Sequence, residues 1–402
     1  MRPFASTISL EEARRRLDAA VRPIARVERV RLDEAAGRIA AADVVSPIDV
    51  PPFARSAMDG YAVVAADTRG ASRDAPARLR LLDRIYTGRL STETVVAGAC
   101  AEIATGAPLP AGADAVVMVE ESGRPNDREV EIFAEAHAGQ NVGRRGGDIA
   151  AGDRVIDGGD LLTASRVGAL AAVGCADASV FAKPRVAILS TGNEVIEPGE
   201  PLPPGHIYDV NRFTLAAIAT AHGGAPESRR AAEDTVPALV AALDACAAAD
   251  LIVFSGGSSV GERDLVVDAI AARGEMIFHG IAVRPGKPTA FAMVGGTPFF
   301  GMPGNPTSCL SNAYILLVPF LRALARLPPH APRTVRVRLG RRIASAVNRH
   351  QFYTVALKDG VAQPAFKGSG DITSLSRADG YIEIPADQSV VEEGAIVTVT
   401  LF

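Results

Sequence analysis

Residues 251–264, LIVFSGGSSVGERD, constrain the fold of this chain more than any other stretch. The first four are apolar and stop at Ser255-Gly256-Gly257, which is typical of a buried strand that ends in a glycine turn. The loop reaches Asp264 directly before a helical pattern. Backbone N–H groups beside a helix N-terminus bind anions, and in open α/β sheets such sites lie at the carboxyl ends of strands. The stretch predicts a phosphate site; the alternative is an ordinary Gly-rich loop in which Asp264 only caps the helix.

Strand, loop and helix also alternate around this stretch. A strand at 186–189 ends in Ser190-Thr191-Gly192-Asn193-Glu194, and helices are predicted at 211–221 and from Asp234 to about residue 248. This alternation predicts a doubly wound α/β domain. Because two of its strands end in Ser-containing glycine loops, we expect a crevice at a topological switch point of the sheet.

The segments before this domain predict helices on either side of a β-rich region. Ser9 and Glu12 form a capping box that opens a helix to about residue 20, and a short helix is expected at 33–38. The prolines of 46–53 mark a linker, because proline is excluded from helix interiors and central strands. Between residues 61 and 140, short apolar runs separated by Gly, Pro and Asp turns predict strands. A further helix is expected at 163–173.

Two rigid Pro/Gly loops follow the α/β pattern. The loop at 283–288 carries two cations, and the loop at 301–308 carries three hydrogen-bonding side chains. A helix is predicted from Cys309 to residue 327, followed by a proline-rich linker at 328–332. The rest of the chain is strand-like and predicts a small β-domain.

Composition excludes several classes of protein. With 402 residues, 48% hydrophobic and 22% charged, the chain is globular and should divide into several domains. A net charge of −4 without a long basic block argues against nucleic-acid binding. The four cysteines form no CxxC motif and the six histidines form no HExxH motif, so disulfides and zinc sites are not expected. The N-terminus lacks a signal-peptide pattern, and the longest apolar run, 314–320, is too short to span a bilayer. We therefore expect a cytoplasmic protein that binds no membrane.

Two loops of the β-rich region carry polar groups beside glycine. Asp59 lies in Ser56-Ala57-Met58-Asp59-Gly60-Tyr61, and Thr105 lies in a Gly/Pro loop at 104–110. Both loops are candidates for a functional site. Either can also be an ordinary turn, since Asp-Gly is among the commonest turn dipeptides.

Seven segments together carry a family resemblance. They are SAMDGYAV, TGAPLPAGADAVVMVEE, STGNEV, YDVNR, SGGSSVGERD, RPGKPT and GMPGNPTS. In this order and spacing they resemble the molybdenum insertase family (molybdopterin molybdenumtransferase, which includes the gephyrin E domain). Any single motif would be weak, but seven motifs over nearly the whole chain make the resemblance specific.

The resemblance implies a multidomain α/β plus β protein that forms an elongated homodimer. Its parts would be a helical linker region, an inserted β-rich domain, a three-layer α/β domain like that of molybdopterin adenylyltransferases, and a C-terminal β-barrel. The expected boundaries are 1–50 for N-terminal helices and linker region, 51–144 for the β-rich domain, 145–182 for the second part of the linker region, 183–328 for the α/β molybdopterin-binding domain and 329–402 for the barrel.

The resemblance also implies an activity. Members of the family insert molybdenum from molybdate into adenylylated molybdopterin, releasing AMP and molybdenum cofactor in a magnesium-dependent step. Asp264, Asp234 and Glu194 match the family's functional acids and are implied ligands of Mg2+, since carboxylate-held metal neutralises the charge that develops on phosphate. Two alternatives stay open: Asp234 can be only a helix N-cap, and Glu194 only a solvated loop residue.

Further site residues follow from the same resemblance. Arg284, Lys287, Ser308, Arg349 and Ser369 match molybdate-site positions, where cations and donors would hold a tetrahedral dianion. Arg349 and Ser369 can alternatively be a solvated arginine and a turn serine. Asp59 and Thr105 are implied catalytic residues, in a site shared between the two subunits. The remaining implied substrate contacts are Ser255, Gly256, Gly257, Ser258, Pro288, Pro303, Asn305, Pro306 and Asp148.

Two departures from the family and three competing functions remain. Arg284 replaces a lysine common in the family, which turns a point charge into a fork, and Gly280 stands where many relatives have a lysine. The alternatives are a molybdopterin adenylyltransferase, a tungstate-using insertase, or a scaffold module. Implied partners are a molybdopterin adenylyltransferase and the molybdenum enzymes that accept the cofactor.

Overall fold

A computed structural model describes residues 7–230, 235–256 and 265–402 of the chain. These residues form two compact units. Unit 1 comprises the described parts of Met1–Glu28, Gly37–Ile39 and Phe181–Phe402, and unit 2 comprises Arg29–Ala36 and Ala40–Val180. Two strands, Val27–Arg31 and Asp177–Phe181, lie where the chain passes from one unit to the other.

Unit 2 is built on a six-stranded sheet, as the β-rich pattern predicts. Alternate residues of its strands fill one hydrophobic cluster on each face, with Tyr61 and Val63 in one cluster and Ala62 in the other. In spatial order the strands are Ala115–Met118, Gly60–Val63, Ala99–Ile103, Ala77–Ile85, Glu129–Ile132 and Ser122–Asn126. Within the β-rich region 51–144, the only helical turns are the 3₁₀ turns Ala65–Thr68 and Val119–Glu121.

The rest of unit 2 contains two helices and short strand pairs. The helix Ala164–Ala172 is capped by the Thr163 side chain, close to the predicted bounds. The helix expected at 33–38 is shorter than predicted, Leu32–Ala35, because Ala36 is extended and Gly37 has a φ of +79°. The paired strands are Val44–Val45 with Arg154–Ile156 and Arg55–Ser56 with Val142–Gly143.

The α/β domain of unit 1 has a six-stranded mixed sheet. Along the sheet, the first three strand pairings are parallel and the last two are antiparallel. The spatial order is Ala225–Arg230, Arg185–Ser190, Leu251–Ser255, Thr297–Met302, Ala290–Val294 and Gly274–His279. The predicted strands at 186–189 and 251–254 therefore lie side by side at the centre.

Both faces of this sheet are buried, which makes the domain three-layered. Ile188 and Val253 point into one hydrophobic cluster, and their neighbours Leu189 and Phe254 point into another on the opposite face. The covering helices are Leu10–Ala20, Asn211–Ala221 and Pro306–Leu324 on the first face and Val236–Asp244 and Leu265–Ala271 on the second. The predicted helix 10–20 is thus correct, with Ser9 accepting from Glu12 N over 3.1 Å.

Two helix ends differ from the sequence-based expectation. The helix expected from Asp234 runs over Val236–Asp244, and its N-cap is Thr235, whose side chain accepts from Ala238 N. Asp234 itself lies outside the described residues. The helix expected from Cys309 begins three residues earlier, because Pro306 supplies the fixed φ of a first helical position.

This last helix is the one described stretch that could cross a membrane by length and composition. It spans Pro306–Leu324 as an α-helix Pro306–Asn312, a π-helical turn Ala313–Leu317 and an α-helix Val318–Leu324. The apolar run at 314–320 is shorter than this helix, because the helix also includes small polar residues in its first turn. Since 72% of its apolar window is buried within the protein, it is a core helix.

The C-terminal part of unit 1 is a closed barrel, as expected. Its ring of strands is His350–Lys358, Val361–Pro364, Thr334–Leu339, Ile396–Leu401 and Gly380–Ile384, and the last pairs with the first. Val283–Arg284 adds to the first strand in parallel. Smaller elements of unit 1 are the strand pairs Val195–Ile196 with Ile207–Tyr208 and Ile343–Ala344 with Val390–Val391, and the helical turn Thr373–Ser376.

Candidate active site

A cleft of about 1040 Å³ opens in unit 1 between the carboxyl ends of the central strands and loops at the barrel. Its volume is in the range of a site for a molecule of cofactor size. It collects all the predicted site residues that the structure describes within unit 1. Those residues are Glu194, Ser255, Gly256, Arg284, Lys287, Pro288, Pro303, Asn305, Pro306, Ser308, Arg349 and Ser369.

The first wall of the cleft, here called the neutral wall, consists of the ends of the two central strands. Ser190 and Ser255 are register partners, and Thr191 N donates to the Ser255 carbonyl over 3.1 Å. Gly256 has a φ of +115°, and a Cβ there would lie 2.3 Å from the Thr191 carbonyl oxygen. Only glycine fits this position, so the two strand-end loops touch through their backbones.

Asn211 ties the neutral wall to the next loop. It is the first residue of the helix Asn211–Ala221, and its Nδ2 donates to Ser255 Oγ over 2.8 Å and to the Gly304 carbonyl over 2.7 Å. Beneath it, burial raises the pKa of the Cys309 thiol to about 12, so this thiol stays protonated and unreactive. Among the described residues, Ser190 Oγ and Asn211 Oδ1 are buried without a hydrogen-bond partner.

The second wall, here called the charged wall, carries Arg284, Lys287, Arg349 and Lys367. The strand Val283–Arg284 pairs in parallel with the first barrel strand, and Arg284 is the register partner of Gln351. This pairing brings the loop of Arg284 next to Arg349 at the start of the barrel. Among the residues that the structure describes, two carboxylates, Glu194 and Asp209, line the cleft.

Asp209 is neutralised locally, since it accepts from the backbone N and the Nε of Arg212, each over 3.1 Å. The described part of the lining is therefore net positive, which suits an anionic ligand.

Contacts between the core helix and the barrel bring Ser308 and Ser369 into one site. Asn305 Nδ2 donates to Ser369 Oγ over 3.2 Å, and Thr307 N donates to the Ser369 carbonyl over 3.0 Å. Thr307 Oγ1 also donates to the Asp371 carbonyl over 2.8 Å. Ser308, at 3% exposure, lies in the first turn of the same helix. Ser369 lies in a turn and is held by residues at the N-terminus of this helix.

The predicted acids are only partly within the described structure. Glu194 is exposed and lines the cleft. Asp234 and Asp264, together with Gly257 and Ser258, lie outside the described residues. Over residues 7–230, 235–256 and 265–402, no group of three His, Cys, Asp or Glu side chains is arranged to hold a metal. One exposed carboxylate does not define a Mg2+ site, because this ion takes six oxygen ligands.

Three predicted site residues lie in unit 2. Asp59 and Thr105 come together, since Thr105 N donates to Asp59 Oδ1 over 2.7 Å. Asp59 also lines a small cavity of about 220 Å³. Asp148 is exposed, and its backbone N donates to the Val50 carbonyl.

Several cleft residues, among them Asn211, Lys367 and Tyr208, escaped the sequence-based site prediction. Asn211 lies within YDVNR, one of the motifs that carry the resemblance, so the motif was a usable signal. Lys367 neighbours the predicted Ser369, and its Nζ contacts Thr373 Oγ1 over 3.2 Å. Tyr208 lies on the rim and donates its hydroxyl to the Glu200 carbonyl over 3.0 Å. Tyr208 belongs to the same YDVNR motif as Asn211, so only for Lys367 does the tertiary structure alone reveal the position.

Comparisons with known proteins cover the whole architecture. Successive parts of the chain match the MoeA N-terminal region (domain I and II) over residues 8–174, a "Probable molybdopterin binding domain" over 187–323, and the MoeA C-terminal region (domain IV) over 336–402. Molybdopterin molybdenumtransferase 2 of Mycobacterium tuberculosis is 38% identical over 94% of each chain. Molybdopterin molybdenumtransferase of Haemophilus influenzae is 32% identical over 98% of each chain.

A solved structure agrees with these sequence relatives. The molybdopterin biosynthesis MoeA protein from Pyrococcus horikoshii superposes with a TM-score of 0.84 at 40% identity, covering 98% of this chain and 99% of that one. Sequence, domain order and fold thus agree over nearly the full length. The chain therefore belongs to the MoeA family of molybdopterin molybdenumtransferases.

Proposed function

We propose that this chain inserts molybdenum from molybdate into adenylylated molybdopterin, with release of AMP. The observation that carries the proposal is the pairing of the two walls in one cleft. Backbone amides and hydroxyls of the neutral wall suit a phosphate group, and four cations of the charged wall suit a second anion. A site for two anions is what a reaction between a nucleotide-linked pterin and an oxyanion requires.

The oxyanion would bind at the charged wall. Arg284, Lys287 and Arg349 supply positive charge, and Ser308 and Ser369 supply hydroxyl donors, so a tetrahedral dianion could be held from several sides. The phosphates would bind at Ser255 and Gly256 and at the loop that follows them. In this arrangement the protein fixes the two reactants next to each other, which removes much of the entropic barrier of a bimolecular step.

Magnesium is part of the proposal through Asp264, Asp234 and Glu194. The support is the family resemblance and the exposed position of Glu194 on the cleft. When bound, the ion would neutralise charge on the phosphates as the bond to AMP breaks. Asp59 and Thr105, joined by a hydrogen bond, are proposed as further catalytic residues, and Asp148 as a substrate contact.

One assay tests the activity against its alternatives. Purified protein is mixed with adenylylated molybdopterin, magnesium and molybdate, and AMP release is followed. The proposal expects AMP release that depends on molybdate. Release of pyrophosphate from ATP in the presence of free molybdopterin would instead indicate an adenylyltransferase. Absence of both reactions would favour a scaffold role. A parallel series with tungstate asks which oxyanion is preferred.

We also propose a homodimer in which Asp59 and Thr105 of one subunit serve the cleft of the other. Two inactive variants, Asp59→Asn and Asp264→Asn, can be refolded separately and together. By symmetry, about half of the mixed molecules are heterodimers, each with one doubly defective and one intact site. About a quarter of all sites should then recover if the sites are shared. If the activity of the mixture does not rise above that of the separate variants, both residues belong to the same subunit's site.

The cellular context is proposed from the family alone. The protein would act in the cytoplasm, receive its substrate from a molybdopterin adenylyltransferase and pass the cofactor to molybdenum enzymes. A pull-down with the tagged full-length chain from a cytoplasmic extract would test these contacts, and recovery of neither partner class would argue against them.

A further inference from the structure

Asn312 connects the core helix to the loop that carries Arg284 and Lys287. Its side chain is fully buried, and its Nδ2 donates to the Gly286 carbonyl over 2.7 Å. The same amide group contacts Thr289 Oγ1, and this hydroxyl donates to the Gly286 carbonyl over 3.0 Å. Two buried donors therefore converge on one backbone carbonyl located between the two cations of the loop.

The loop backbone rests directly on this amide. Gly286 has a φ of +100°, and a Cβ at this position would lie 2.2 Å from Asn312 Nδ2. The contact leaves no room for another side chain, so the position of the Gly286 carbonyl depends on Asn312. A buried carbonyl that loses its donors costs free energy, and the loop would move to recover a partner.

Asn312 also has a fixed relation to the cleft. It lies four residues after Ser308, which puts both side chains on the same face of the helix. Ser308 lines the cleft, whereas Asn312 and Thr289 do not. The π-helical turn Ala313–Leu317 begins directly after Asn312, and such turns are frequent at functional sites. One helix face thus carries a cleft hydroxyl and, one turn later, the support of the loop with the cations.

We propose that Asn312 and Thr289, together named the Gly286 clamp, are positioning residues that set the placement of Arg284 and Lys287 and thereby the affinity for a tetrahedral oxyanion. Neither residue touches the anion. The inference rests on the proposed function in one respect, namely that the oxyanion is molybdate. It extends that function by assigning oxyanion affinity to two buried side chains outside the cleft.

The test compares the affinities of two ligands, molybdate and AMP, for the full-length protein by calorimetry. Asn312→Leu removes both hydrogen bonds of the amide and is expected to weaken molybdate binding about tenfold, the effect of one strong buried hydrogen bond. Thr289→Val keeps the shape and removes one donor, with an expected loss of about threefold. AMP affinity should change less than about twofold in both, because the neutral wall is untouched.

Thr354→Val is the matched control. Thr354 is a buried threonine of the barrel, at 1% exposure, whose hydroxyl has no hydrogen-bond partner among the described residues. The control should bind both ligands as the wild type does. If Asn312→Leu does not fold, Thr289→Val decides the question alone.

Two results would overturn the clamp. One is wild-type molybdate affinity in the folded variants, and the other is an equal loss of molybdate and AMP affinity, which would indicate general destabilisation. Absence of molybdate binding by the wild type is distinguishable from both, because it removes the oxyanion site of the proposed function and the clamp's role with it.

Discussion

The two walls of the cleft are built in different ways. The neutral wall consists of adjacent strand ends, where Ser190 and Ser255 are held in register by the parallel sheet and Gly256 rests on the Thr191 carbonyl. The charged wall is assembled from loops far apart in sequence, and side chains such as Asn305 and Asn312 hold them together. Backbone pairing therefore makes the first wall rigid, whereas the second depends on a few polar side-chain contacts.

This difference has a functional meaning. A phosphate is recognised mainly by backbone N–H groups, which a strand-end loop presents in a fixed array. An oxyanion dianion needs several cations, which repel one another and must be held in place by the surrounding structure. We therefore expect substitutions at the neutral wall to affect chemistry or folding, and substitutions at the charged wall to affect one ligand.

The largest effect is expected from the acid in the loop that follows the neutral wall. Asp264→Asn should reduce AMP release on the order of 10²-fold or more, as other losses of transition-state electrostatics do. The substitution should not disrupt the fold, because residue 264 is predicted to lie in a loop. Initial rates at saturating magnesium provide the measurement. A rate within a few-fold of wild type would mean that Asp264 has no role in metal binding.

A smaller effect, on stability, is expected from Gly256→Ala. The new Cβ would meet the Thr191 carbonyl oxygen at 2.3 Å, in a backbone conformation that alanine rarely adopts. The cost should be about 2 kcal/mol in the free energy of unfolding, measured by urea denaturation. Gly304→Ala is the matched control, since a Cβ there would meet only Gly256 Cα at 3.8 Å. Equal destabilisation by both substitutions would show that the close approach at Gly256 does not matter.

At the charged wall, Arg284→Ala and Lys287→Ala should each raise the molybdate concentration for half-maximal insertion about tenfold, roughly the effect of one lost charge-assisted contact. The affinity for the adenylylated pterin should stay nearly constant, because the two ligands bind different walls. The measurement is a titration of each substrate at saturating concentration of the other. An equal loss for both substrates would move these residues to the phosphate site.

The smallest effect concerns the far end of the helix that begins at Asn211. Burial, His330 and Arg322 lower the pKa of His222 from 6.5 to about 4. The unfolded chain therefore binds a proton between these values that the folded chain does not bind. This contribution to stability is present above pH 6.5 and is lost as the pH falls through about 4.

His222→Asn should consequently lose less stability than the wild type between pH 7 and pH 4. The expected difference is about 1 kcal/mol, because partial exposure to solvent reduces the effect. Urea denaturation at both pH values measures it, with the exposed His137→Asn as the control variant. Parallel pH profiles for wild type and His222→Asn would contradict the assignment.

Much of the fold was predictable because local patterns and tertiary packing agree. The strands at 186–189 and 251–254, the helix 211–221 and the Ser9 cap were correct, since their apolar spacing and caps are also what the core requires. Errors occurred at element ends. The N-cap belongs to Thr235, and the core helix starts at Pro306, because the competing signals at these positions are only one to three residues apart.

The sequence by itself determined the elements, the strand-end loops and the family, because periodicity, glycine turns and motif order are local properties of the chain. Only the tertiary structure decided that Ser369 meets Asn305, that Lys367 joins the cleft and that Asn312 supports the Gly286 carbonyl. These contacts join residues that are distant in sequence, and no local pattern encodes which side chains meet. They arise when the barrel packs on the α/β domain and polar side chains of distant loops come within hydrogen-bonding distance.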